Sequence, residues 1–352
     1  MFSMKKGHRV PPILENQGII PVMPGFDQEA FDRSVSGQAV IQNQKILQLY
    51  PDEMDSHVLA YWKQYGVRKE LFDADINEGN GKYSVHSPLH IAAGRKLPLL
   101  YFSHPGLETP YQAETAGFSQ LIEREQFIAV YPFNGGYSNE DVLHEFPRIM
   151  HALKEKEYPI DWTRVYAAGF SSGSDATESI ATQWPELIAA CAPCPGSNAF
   201  YNSLCRVSHE AYAKCDSYQV PLICVGGDMD FGDRYPFPDP ECYDNFNLWM
   251  KDICKVKDWK DVSFAEGQSL ITNGIGIERK IGVPFEKKWT EIHEERNWLY
   301  GQQFDSAHRP ICQFVCGEGV PHVMTGCFAS IVYEALKHWQ RDRNTGQLFY
   351  SK

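Results

Sequence analysis

The sequence predicts an α/β protein on a mostly parallel, doubly wound sheet, and three observations carry that prediction. Between residues 83 and 225, short apolar runs alternate with amphipathic stretches, the order produced when helices cross over between parallel strands. The apolar runs show little polar alternation, as expected of strands covered on both faces. One tight Gly/Ser turn, 169–173, sits between a strand pattern and a helix pattern.

Residues 1–65 come first and carry no strand rhythm. Pro11, Pro12, Pro21, Pro24 and Gly25 mark irregular chain, and helices are expected over 28–36 and 54–65. This stretch reads as an N-terminal wrap on a domain spanning 66–352. Strands follow at 83–86, 97–103 and 127–131. Helices are expected over 116–124 and 140–157, the latter apolar at Val142, Leu143, Phe146, Ile149, Met150 and Leu153. A strand at 164–168 enters the Gly/Ser turn and a helix at 174–184 leaves it. Strands at 187–193 and 220–225 complete this series. Residues 234–310 then break the rhythm with irregular spacing and four tryptophans. So long an interruption is read as an active-site cap insertion, with a surface insertion or subunit contact as the alternative. A strand at 311–316 and a closing helix at 328–339 end the domain.

Composition narrows the function. Hydrophobic residues are 43% and charged residues 22% of 352, ordinary globular values. The formal charge of −12 repels phosphate backbones and anionic membranes. No nucleic-acid or membrane partner is therefore expected. The first residues include Lys5, Lys6 and Arg9 but no apolar stretch of secretory length, so a cytoplasmic location is expected. Ten cysteines are too few to scaffold a chain this long. The pairs Cys191/Cys194 and Cys312/Cys316 have spacings that zinc accepts, but both lie in apolar strand patterns, where free cysteine packs as a small hydrophobe. No metal and no cofactor are expected.

The chemistry lies in Gly169-Phe170-Ser171-Ser172-Gly173. A strand running in and a helix running out make this the context of a nucleophile elbow, with Ser171 raised above the sheet. The flanking glycines avoid collisions in a strained turn. A serine hydroxyl needs a base, and the base an acid behind it. With such an elbow the chain order is serine, acid, histidine. His322 follows the strand at 311–316 in a Gly-rich turn, where strand carboxyl ends assemble sites. His308, inside the insertion, is its rival, and His338 reads as a structural residue within the closing helix. Three aspartates follow the strand at 220–225: Asp230 is the first choice for the acid, Asp228 the second and Asp233 the third. Oxyanion donors are expected from the backbone N–H groups of Ser172 and Gly106. His104, beside Gly106, reads as a brace for that loop.

Together these segments resemble one family. Pro98–Gly106, Phe127–Pro132, the run Tyr158-Pro159-Ile160-Asp161-Trp162-Thr163-Arg164-Val165-Tyr166 before the Gly169–Gly173 turn, and Trp184–Pro193 after it are similar to the poly(3-hydroxybutyrate) depolymerase and feruloyl esterase group of α/β-hydrolases. The resemblance implies the α/β-hydrolase fold and a serine esterase with Ser171 as nucleophile, an aspartate of the 228–233 loop as acid and His322 as base. The expected partner is a small soluble ester, acetyl or hydroxycinnamoyl, with self-association left open. A peptidase, an acyltransferase or an inactive binding protein of the same fold are the alternatives.

Overall fold

The computed structural model describes residues 26–49, 54–73, 82–105, 113–133, 139–194, 209–230 and 235–352. Helices α1 (Gln28–Arg33), α2 (Val35–Leu49) and α3 (Ser56–Gln64) precede the sheet. The single helix expected at 28–36 is broken at Ser34, whose extended backbone and hydroxyl bond to the Phe31 carbonyl end α1. Strands β1 (Val67–Asp73), β2 (Lys82–Pro88) and β3 (Leu97–Ser103) follow, then α4 (Phe118–Glu125), β4 (Ile128–Pro132), α5 (Asn139–Glu155), β5 (Ile160–Phe170), α6 (Ser172–Gln183), β6 (Ala190–Cys194) and β7 (Leu222–Gly227). After these come α7 (Pro240–Leu248), α8 (Phe264–Asn273), α9 (Glu278–Ile281), β8 (Lys287–His293), β9 (Arg296–Gln303), β10 (Cys312–Gly317), α10 (Phe328–Leu336), β11 (Trp339–Arg341) and β12 (Leu348–Tyr350).

Ten strands form one sheet in the order β1-β2-β4-β3-β5-β6-β7-β10-β9-β8. The six central strands, β4 to β10 in that order, are parallel, and the two at each edge are antiparallel. The burial follows from composition. Every residue of β3, β4, β6 and β7 is buried, because helices lie on both faces and the sequences carry no polar alternation. Edge strand β8, Lys-Lys-Trp-Thr-Glu-Ile-His, is mostly exposed, and its charges guard an open edge. This is the α/β-hydrolase architecture that the sequence predicts.

Three further readings need correction. Residues 234–310 are not irregular throughout: α8 opens with a Ser263–Glu266 capping box, and β8 and β9 make a hairpin that widens the central sheet. The period-2 pattern there was hidden by the tryptophans and by the exposed charges of an edge strand. The closing helix stops at Leu336, and Trp339 belongs to β11, paired with Tyr350. His338 therefore lies in the turn between α10 and β11 rather than within a helix. The strand expected from 187 begins only at Ala190, because Pro185–Leu187 form a short 3-10 turn.

Candidate functional site

The site forms at the carboxyl ends of β5, β7 and β10. Ser171 stands between β5 and α6 with φ 56° and ψ −127°, in the positive-φ region that L-residues seldom occupy. The flanking glycines make that turn feasible. A Cβ on Gly169 would overlap the Gly173 carbonyl, and one on Gly173 would overlap the Ser103 carbonyl at the end of β3. The turn is then pinned from within: the Ser171 carbonyl accepts from the Ser174 N–H (2.8 Å) and the Ser174 hydroxyl (2.6 Å).

His322 lies on the loop between β10 and α10. Its Nε2 is 3.1 Å from Ser171 Oγ and its Nδ1 is 2.8 Å from Asp230 Oδ1. The carboxylate accepts only, so Nδ1 carries the proton and donates. Nε2 of the neutral ring then has a lone pair, which accepts the Ser171 hydroxyl proton. Asp230 is buried and the imidazole nearly so. One ring face rests on Phe170, with centroids 4.8 Å apart, and Phe170 also meets Phe328 of α10 edge-on. The residue between Gly169 and Ser171 thus packs against the histidine, a contact that the motif's variable position did not announce.

Asp228 does a different job from Asp230. Its Oδ1 accepts the Gly319 N–H at 2.7 Å and its Oδ2 accepts from Lys280 Nζ at 2.7 Å. Burial works against the Lys280 charge, but the hydrogen bond and charge of Asp228 outweigh it and the pKa is raised. From the other side, Arg296 Nη1 donates to the carbonyls of Glu318 and Gly319 at 3.4 and 3.2 Å. The turn that carries His322 is therefore tied to β7 through Asp228 and to β9 through Arg296. Neither Lys280 nor Arg296 belongs to a motif, and only the folded chain brings them to this turn.

Other expected residues fall as follows. The Ser172 N–H is at the first position of α6, where helix N–H groups point outward and receive negative charge. Gly106 and Asp233 lie outside the described residues. His104 is buried, with Nδ1 2.7 Å from the Pro105 carbonyl and Nε2 3.1 Å from the Phe133 carbonyl. It spans the loops after β3 and β4, and burial lowers its pKa. His308 precedes β10, at the strand's amino end, and so sits at the opposite end of the sheet from Ser171. Cys191 and Cys194 lie on β6, and Cys312 and Cys316 on β10, all buried free thiols. Among the described residues no cluster of three or more His, Cys, Asp or Glu has the form of a metal site.

A hydroxyl held against a base, with the base oriented by a buried carboxylate and a helix N-terminus alongside, is equipped for nucleophilic acyl transfer. Comparison with known proteins follows the same line. A bifunctional acetylxylan esterase/xylanase of Neocallimastix patriciarum is 35% identical over 140 residues, which are 38% of this chain and 20% of that protein. The chain resembles esterases. Acetylxylan esterase A of Aspergillus oryzae is 24% identical over 143 residues, 36% of this chain and 45% of that one. The matched region spans less than half the length of either relative. Among solved structures, an acetyl xylan esterase from Aspergillus awamori aligns at 15% identity and a TM-score of 0.48, covering 76% of this chain and 98% of that one. A feruloyl esterase module from Clostridium thermocellum aligns at 14% and 0.46, covering 77% and 86%. No protein-family model matches the sequence.

Proposed function

We propose that the protein is a serine carboxylic-ester hydrolase acting on acetyl or hydroxycinnamoyl esters. The observation that carries this reading is the continuous chain from Ser171 Oγ to His322 Nε2 and from His322 Nδ1 to Asp230, at a serine held in a strained elbow. Ser171 Oγ attacks the ester carbonyl while His322 Nε2 takes its proton. The carbonyl oxygen becomes an oxyanion, received by the Ser172 N–H and a second donor from the loop after β3. The tetrahedral adduct collapses, His322 returns the proton to the leaving alcohol, and an acyl-Ser171 remains. Water, deprotonated by the same imidazole, then attacks the acyl carbonyl and releases the acid and free Ser171. Asp230 stays ionised throughout and stabilises the imidazolium. The acetylxylan esterases among the relatives support the acetyl branch, and the sequence resemblance supports the hydroxycinnamoyl branch.

The test is fluorophosphonate labelling read by intact mass, comparing the native chain with Ser171→Ala. One adduct on the native chain and none on the variant is the expected result. Acetyl, butyryl and feruloyl esters, with a hydroxybutyrate oligomer, then rank the substrates. Failure of the native chain to label or to cleave any of these would move the fold to a binding role.

A further inference from the structure

Two helices ahead of the sheet belong to no motif, yet they pack where the loop that carries His322 begins and where it ends. α1 has six residues, too few to hold a helix in water unaided. The Asp27 side chain caps it by accepting the Ala30 N–H at 2.9 Å, and among its residues only Phe31 is buried. The place of α1 is therefore set by what Phe31 meets. The chain turns at Ser34, and α2 follows with Ser36 and Val40 buried and Ala39 half-buried.

Phe31 meets Arg296, the first residue of β9. The guanidinium carbon stands 5.0 Å from the ring centroid. The same guanidinium holds the start of the histidine loop, because its Nη1 donates to the carbonyls of Glu318 and Gly319. Its Nε is buried and has no acceptor among the described residues. A cation so placed needs a substitute for water, and the ring face supplies one. At its other end the loop passes Gly326 on the way into α10. A Cβ on Gly326 would overlap the Glu294 carboxylate and come within 2.8 Å of the Ala39 Cβ. Glu294 lies in the turn between β8 and β9, and it also neighbours Cys327, the residue that caps α10.

His322 lies between these two anchors. The Val320 carbonyl accepts the Met229 N–H at 3.0 Å, and the Thr325 carbonyl accepts the Phe328 N–H at 3.1 Å. Pro321 to Met324 span from one fixed point to the other, so either anchor can move the imidazole. Proton transfer needs Nε2 within hydrogen-bond reach of Ser171 Oγ, and the two atoms are 3.1 Å apart. A displacement of about 1 Å would cost much of the rate. Asp228 holds the loop to β7; the helix pair adds a second hold, through Arg296 at one end and Gly326 at the other.

We propose that α1 and α2 clamp the His322 loop, and that Phe31, acting through Arg296, is a positioning residue for the base. The clamp stands on packing alone; its effect on turnover rests on the esterase reading. The test uses the full chain, with steady-state hydrolysis of a small aryl acetate and amide hydrogen exchange read by mass spectrometry on a peptide covering 318–327. Phe31→Leu keeps an apolar side chain and removes the ring. Its kcat should fall about fivefold with KM unchanged, and exchange over 318–327 should quicken while β3, β4 and β5 exchange as before. Phe31→Tyr keeps the ring and should restore both. Arg296→Ala should lower kcat about tenfold. Because Phe31 acts through Arg296, Phe31→Leu/Arg296→Ala should be no slower than Arg296→Ala alone, whereas independent losses would multiply. Should Arg296→Ala fail to fold, Arg296→Lys takes its place in the cycle. The proposal falls if Phe31→Leu matches the native chain in kcat and exchange, if Phe31→Tyr is as slow as Phe31→Leu, or if the losses multiply. A native chain that neither labels with fluorophosphonate nor cleaves the acetate would sink the esterase reading and the role in turnover, and the exchange data would then decide the clamp by themselves.

Discussion

Asp228 and Asp230 are two residues apart on one loop, yet their side chains meet different partners, and their variants should separate cleanly. Asp230→Asn places an amide NH2 opposite His322 Nδ1, so the ring must turn its lone pair to that side and present an N–H to Ser171. The base is then the wrong tautomer, and kcat should fall on the order of 10⁴-fold with KM little changed, as known for the same change in serine-protease triads. Asp228→Ala removes the acceptor for the Gly319 N–H and the nearer of the two carboxylates paired with Lys280, but leaves the Asp230 to His322 bond. Its kcat should fall only about tenfold, the size of effect expected when a positioning contact is lost. Steady-state kinetics on one acetyl ester, run side by side, would check both; equal losses would mean that the two aspartates share the orienting role. Gly173→Ala tests the backbone. Its methyl would overlap the Ser103 carbonyl, and a main-chain atom of a buried strand has little room to yield. A loss of about 1–3 kcal/mol is expected, measurable by urea unfolding, together with weaker fluorophosphonate labelling as Ser171 is displaced.

At the scale of elements, the parallel core was legible because β3, β4, β6 and β7 are buried on both faces and their sequences are plain apolar runs. Ser171, His322 and Asp230 were legible because an elbow and strand-end loops announce themselves locally. Lys280 and Arg296 were not, since Lys280 bonds Asp228 at a sequence separation of 52 and Arg296 bonds Glu318 at a separation of 22; nor was the hairpin of β8 and β9, whose edge strand is mostly exposed. The same holds for a buried polar cluster that joins β1, β2 and the approach to α4. Lys69 Nζ donates to Glu114 at 2.7 Å with both side chains fully buried, and the Ser84 hydroxyl donates to the same carboxylate at 2.6 Å. His86 lies 3.6 Å from Glu114 and bonds Ser119 at 2.7 Å. Burial alone would raise the Glu114 pKa, but Lys69 and His86 overcome it and bring it to about 2. A carboxylate depressed on folding adds stability that is whole above its unfolded value, near 4.5, and fades as pH falls toward about 2. Glu114→Gln removes the carboxylate charge that Lys69 pairs with and should cost about 3–5 kcal/mol at pH 7. Urea titrations at pH 7, 4 and 3 should show the gap between native and variant narrowing with acid. A gap that holds constant would mean that the cluster is held by packing and not by charge.

On the scale of the whole molecule, the cysteines report on how the core is closed. All nine described cysteines are free and buried, and they come from strands β6, β7 and β10 and from the helices and turns packed on them. Burial disfavours the thiolate at Cys191, Cys194, Cys215, Cys224, Cys254, Cys312, Cys316 and Cys327. It pushes the Cys194 and Cys215 thiols up to about 12, in each case overriding smaller influences that lower them, and raises Cys191, Cys224 and Cys316 well above the ordinary thiol range. A disulfide reagent attacks through the thiolate, so each is protected twice, once by the lack of a path and once by protonation. Neither protection survives local opening, but β6, β7 and β10 stand in the middle of a ten-stranded sheet and expose their side chains only when the sheet itself comes apart. Their reaction with a thiol reagent at pH 8 should therefore follow the rate of global unfolding. Peptide mapping after timed labelling should find Cys191, Cys194, Cys224, Cys312 and Cys316 modified together, and at the same rate as the loss of circular dichroism in urea. Early modification of Cys312 and Cys316 alone would mean that the β8 to β10 end of the sheet, with the loop that carries His322, opens apart from the rest. That end of the sheet and the His322 loop would then form one local unfolding unit, and these two thiols would report its opening before any others.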